Sequence, residues 1–171
     1  GPNNWACTKD NVTGLIWEVK TNNGGLRDFN KVYTNYTSRV TTQKYNNGNY
    51  AVPTLEDVSS SNNAIIFASQ VNQQGLCGSN DWRLPNVDEL QSLIDYSVGN
   101  NQNAFDTTWF PNTASKGIYI TKTDSSVLDY LGWGVDFSYG DISYLSRENA
   151  KYVRLVRSTV VPFATRYTYL N

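Results

Sequence analysis

The chain has 171 residues, long enough for one domain with a substantial core, and a net charge of −1. It contains no histidine, which excludes His-dependent catalytic triads and His metal sites. Aromatic residues make up 13%, led by 12 Tyr and 5 Trp, and such rings suit either a packed core or a recognition surface.

Residues 15–19 (LIWEV) read as a strand after a Thr13-Gly14 turn. A turn cluster follows at 22–25. Residues 31–50 are polar, rich in Tyr, Thr and Asn, and end in Asn46-Asn47-Gly48-Asn49, so they read as a long surface loop. The first helix starts at Thr54, an N-cap behind Pro53, with Glu56 and Asp57 in its first turn. Val58, Ser61, Ala64, Ile65, Ala68 and Val71 form one helical stripe, which stops near Gln74 before Gly75. The second helix follows Pro85. Asn86 caps it, Glu89 closes a capping box, and Leu90, Leu93 and Ile94 supply its buried face. A polar loop at 99–103 ends it.

The rest reads as strands: 118–121, then 133–137, then 142–145 after the turn Tyr139-Gly140-Asp141. The last strand is 152–156, with Val153 and Leu155 on one face. The order predicts an α+β fold over residues 1–171, a single domain with two helices packed on an antiparallel sheet and long loops. The tail 158–171 is apolar and aromatic, and its composition leans towards a contact with a neighbouring subunit over packing on its own domain.

Charge falls in blocks. Lys20, Arg27, Lys31, Arg39 and Lys44 face Asp28 alone over residues 20–50, and Arg147, Lys151, Arg154, Arg157 and Arg166 face Glu148 alone over 142–171. The middle segment 81–141 is acidic. This pattern predicts a basic face and an acidic face on a near-neutral molecule. Cys7 and Cys77 fit either one disulfide of an exported domain or two buried thiols of a cytosolic one. As a disulfide, the closed loop of about 70 residues contributes roughly 4 kcal/mol. Their spacing fits no zinc motif.

No Gly-rich phosphate loop is present, and among so many carboxylates no catalytic pair stands out, so the chain reads as a non-enzyme with no cofactor. Asp124, Asp129, Asp136 and Asp141 are the residues a calcium site would draw on, but turn carboxylates are usually only solvated. No apolar run approaches the roughly 20 residues that span a bilayer, and the start of the chain lacks the regions of a signal peptide. The expectation is a piece of an exported protein with no membrane insertion and no nucleic-acid partner.

Four segments carry a resemblance. They are Trp5-Ala-Cys7 with Asp10-Asn-Val-Thr-Gly14-Leu-Ile-Trp17-Glu18, then Cys77-Gly78 with Asp81-Trp-Arg83-Leu-Pro85-Asn-Val-Asp-Glu89-Leu, then Trp133-Gly-Val-Asp-Phe-Ser-Tyr-Gly140, and Tyr152-Val-Arg-Leu-Val-Arg157. Together they resemble the C-terminal domain family of the Legionella collagen-like protein (Lcl), over residues 5–157. The resemblance implies a C-type-lectin-like fold, a homotrimer beneath a collagen-like stalk, and a secreted or cell-surface adhesin that binds sulfated glycosaminoglycans. Gly1-Pro2 fits either a cleavage scar or the last triplet of such a stalk. Trp17, Trp82, Arg83, Pro85, Arg154 and Arg157 sit at shared motif positions and are expected to be scaffold. Where some relatives carry a third cysteine, this chain has Leu155, which leaves Cys77 to pair with Cys7.

Sulfate is a permanent anion, and clustered Lys and Arg neutralise it in a salt-sensitive way. The expected glycan contacts are therefore the cations outside the shared motifs, Lys31, Arg39, Lys44, Arg147, Lys151 and Arg166, with Tyr33, Tyr36 and Tyr45 stacking on sugar faces. The competing readings are a trimerisation or protein-interaction module of the stalk, and a calcium-dependent lectin.

Overall fold

The computed structural model describes residues 5–97, 104–114 and 117–158. It is an α+β fold with three small antiparallel sheets and three short helices. In chain order the elements are β1 (Cys7–Lys9), β2 (Leu15–Glu18), β3 (Lys44–Asn46), β4 (Asn49–Ala51), α1 (Leu55–Ser59), α2 (Ala64–Gln74), α3 (Val87–Gln91), β5 (Ile118–Asp124), β6 (Leu131–Asp136), β7 (Ile142–Ser146) and β8 (Val156–Ser158). The sheets are β1-β2-β8, β3-β4 and β5-β6-β7. The single antiparallel sheet expected from the sequence is thus divided in three.

The first predicted helix is two helices. Thr54 caps α1 as expected, and Asp57 completes a capping box by accepting the Thr54 N–H. The chain then leaves helical geometry at Ser60. Asn63 holds the break: its buried amide donates to the Val58 carbonyl at 2.8 Å and to the Tyr36 carbonyl at 3.1 Å. The Thr34 N–H takes the Asn62 carbonyl at 2.8 Å, so a distant strand-like segment uses groups that a continuous helix would need. The end of α2 is as read, with Gly75 in the left-handed region at φ 65°. In α3 the Asn86–Glu89 capping box forms, and Leu90 is fully buried. This helix closes at Gln91, and the expected terminal loop at 99–103 lies outside the described residues.

Residues 31–50 are not one loop. Asn47 and Gly48 take positive φ values of 48° and 86°, the geometry of a tight two-residue hairpin turn, and join β3 to β4. Residues 33–35 run extended elsewhere in the fold.

The segment 151–158 is the spine. At its far end β8 pairs with β2, the Val156 and Arg83 backbones exchange two hydrogen bonds, and Tyr152 bridges to Tyr119 of β5. Val153 and Leu155 are buried on one face as predicted, and Arg154 is fully buried between them. Its guanidinium donates to the Glu18 carbonyl and the Thr113 hydroxyl, both at 2.6 Å, and lies over the Phe110 ring. Two core clusters flank the spine. One joins α2 (Phe67, Val71) to Trp82, Val153 and Leu155, and the other joins Trp17 and Leu90 to Tyr119, Val135 and Phe137. Cys7 and Cys77 form a disulfide that ties β1 to the turn after α2.

Candidate functional site

The site begins with a seam between two distant parts of the chain. The Tyr33 N–H donates to the Lys151 carbonyl at 2.8 Å, and the Lys151 N–H returns to the Tyr33 carbonyl at 2.9 Å. Further along, the Asn35 N–H donates to the Arg147 carbonyl at 2.8 Å. The first and last basic blocks of the sequence are therefore backbone partners, running antiparallel.

Their side chains have different fates along the seam. At the Arg147 end, cations meet acids. The Arg147 guanidinium is buried and donates to the Asp124 carboxylate, to the Asp129 carbonyl at 2.8 Å and to the Asn35 carbonyl at 3.1 Å. Arg39 approaches the same Asp124 oxygen at 2.8 Å. Lys44 pairs with Asp57 at 3.0 Å, and its ammonium lies 6.0 Å from the Tyr36 ring. The Thr54 N–H, then Lys44, hold the Asp57 carboxyl below its ordinary range. Tyr33 and Tyr36 are buried, and Tyr33 stacks on Phe67 at 4.7 Å. Arg147, Tyr33 and Tyr36, expected at the surface, are thus packing and hydrogen-bonding residues here, because long amphipathic side chains are as useful inside as outside.

At the Lys151 end the cations have no ion-pair partner among the described residues. Lys31 is exposed, Lys151 is half-buried, and among the described residues no carboxylate is in ion contact with either. Two shallow clefts meet at the exposed Val32. One is lined by Leu26, Lys31 and Gln70, the other by Lys151, Tyr139, Asp136 and Ser138. Tyr139 is 48% exposed and lines the same cleft as Lys151. Neither Val32 nor Tyr139 was a sequence candidate, since an isolated Val in a polar stretch and a Tyr in a turn carry no local signal.

Tyr45, the remaining aromatic candidate, is exposed on β3. It stacks on Tyr130 at 5.2 Å and meets Tyr50 across the hairpin at 4.9 Å. Asn47-Gly48 was the sequence signal that would have brought Tyr45 and Tyr50 together. Arg166 and the tail beyond Ser158 lie outside the described residues.

The charge blocks mix in space. Besides the Asp124 and Asp57 pairs, Arg157 meets Asp81 at 2.6 Å, Arg83 holds Glu89 through two bonds, and Lys20 is buried against Glu18 at 3.1 Å. Acids of the middle segment are the partners of basic residues at both ends. The four aspartates weighed for calcium do not gather either. Asp124 sits opposite Gly132 and Asp136 opposite Ile118, at the two ends of the β5–β6 pair. Among the described residues no group of three or more metal-ligating side chains is found, and no helix is long and apolar enough to cross a membrane.

Residues 6–157 match the family model described as the Lcl C-terminal domain. The chain belongs to the Lcl C-terminal domain family. No curated protein and no solved structure matches it. The positions that carry the family motif are structural in this Lcl C-terminal domain. Trp17, Trp82 and Arg154 are buried, Arg83 anchors the α3 capping box through Glu89, and Arg157 fastens the spine to Asp81.

Proposed function

We propose that this Lcl C-terminal domain is a non-enzymatic, extracellular adhesin module that binds sulfated polysaccharides, glycosaminoglycans among them. We read its α+β arrangement as C-type-lectin-like. The observation that carries the functional reading is the seam, which brings Lys31 and Lys151 to neighbouring clefts with no carboxylate among the described residues in ion contact with either. Two ammonium groups in clefts that share an apolar Val32, with Tyr139 lining the Lys151 cleft, suit a polymer that alternates anionic groups with apolar sugar faces. Membership in the Lcl family supports the adhesin context.

Two lysines bind weakly on their own. A homotrimer repeats the contact three times on one polymer, and the effective concentration of the second and third sites then sets the strength of attachment. Arg39 and Lys44 have a smaller role in this account, because Asp124 and Asp57 already neutralise them.

Retention on immobilised heparin tests the assignment. The double variant Lys31→Glu, Lys151→Glu is expected to flow through at about 150 mM salt, where exposed charges are already screened beyond roughly 8 Å. The variant Arg39→Ala, Lys44→Ala is expected to elute close to the parent. Retention of the first variant at the parent's elution point would refute the reading.

A further inference from the structure

A third cleft is built from other residues. It lies between β1 and the turn 106–110, with Leu93 and Phe110 on its floor, and has a volume of about 560 Å³, within the range of small-ligand sites. Its wall is a pair of indoles. Trp109 is 57% exposed, and the Trp5 ring lies 6.3 Å from it, tilted by 57°. One hydroxyl links the two residues: Thr8 Oγ1 accepts the Trp5 indole N–H at 3.1 Å and donates to the Trp109 backbone carbonyl at 3.0 Å.

The rim is polar. Asp10 and Asp106 both line the cleft. The Asp10 carboxylate is held by the Val12 N–H at 2.8 Å and the Thr13 hydroxyl at 2.6 Å, and Asp106 by the Thr108 N–H at 2.8 Å. Each carboxylate keeps further lone pairs for incoming donors. Lys9, Asn11 and Ser92 complete the rim.

We propose that this cleft binds an uncharged saccharide, separately from the sulfated-polymer contact. A pyranose has an apolar C–H face and an edge of hydroxyl donors. The first matches the exposed Trp109 indole, and the second matches two oriented carboxylates. Two carboxylates against one lysine disfavour sulfate or uronate, so the selectivity is opposite to that of the Lys31–Lys151 seam. The disulfide at Cys7 anchors the β1 wall.

Tryptophan fluorescence of the full chain, titrated with cellohexaose, maltohexaose and a heparin hexasaccharide, tests this. A saturable change is expected with at least one of the uncharged hexamers, at least tenfold weaker in Trp109→Ala and weaker in Asp106→Asn. It is expected to persist in the Lys31→Glu, Lys151→Glu variant, so the two sites fail or succeed separately. Trp109 is largely exposed, so its variant should melt near the parent temperature. Three results would overturn the proposal: no response to either uncharged hexamer, an equal response in Trp109→Ala, or a lower sedimentation mass for Trp109→Ala, which would make the indoles a contact between copies of the chain.

Discussion

Lys20 was counted in a basic surface block, yet it is 4% exposed. Its ammonium pairs with the fully buried Glu18 and sits 4.4 Å from the Phe67 ring centre. Burial lowers its pKa from 10.5 to about 8, with Glu18 opposing the shift. Replacing Lys20 with Met leaves Glu18 buried without its partner, and the expected loss is about 3–5 kcal/mol by urea denaturation. A pH dependence follows. Between about pH 8 and 10.5 the unfolded chain holds a proton that the folded chain has released, so the Lys20 contribution makes stability rise with pH. Burial, with nearby carboxylates, raises Tyr33 and Tyr36 from 10.0 to about 12, and between those values the unfolded chain loses the proton first, so stability falls. Urea midpoints measured from pH 7 to 12 should therefore pass through a maximum near pH 10, and a steady fall from pH 8 would contradict this assignment. None of the three burials was legible in the sequence. A lysine or tyrosine reads the same whether its polar tip meets water or a partner distant in the chain.

The elements were legible where their signals are local. The Asn86–Glu89 box needs three residues of sequence and formed as read, and so did Thr54 at the start of α1 and Gly75 at the end of α2. The break between α1 and α2 was not legible, because the Tyr36 carbonyl and the Thr34 backbone, nearly thirty residues away, help to create it. Asn63→Ala should therefore cost about 1–3 kcal/mol, the range for leaving buried carbonyls unpaired, seen as a lower urea midpoint with an unchanged slope. The hairpin β3–β4 had its signal in Asn47-Gly48, which the polar surroundings obscured. At the same scale, Cys7→Ser with Cys77→Ser should lower stability by roughly 4 kcal/mol, the loop-closure value for about 70 residues, read by the same denaturation.

At the scale of the whole molecule, the sequence showed which residues carry charge but not which charges remain available. Folding joins the two basic blocks along one seam, then neutralises Arg39, Lys44 and Arg147 at one end and leaves Lys31 and Lys151 at the other. Pairing of this kind depends on side-chain geometry across long separations, which block counting along a chain does not contain. Of the five candidate cations among the described residues, the binding account thus retains Lys31 and Lys151. Amide shifts of the labelled full chain on adding a heparin hexasaccharide test it most directly. The account predicts that the largest changes fall at Lys31, Val32, Lys151 and Tyr152 and shrink as salt rises. Changes centred on Arg39, Lys44 and the β3–β4 hairpin, or spread evenly over the surface, would contradict it.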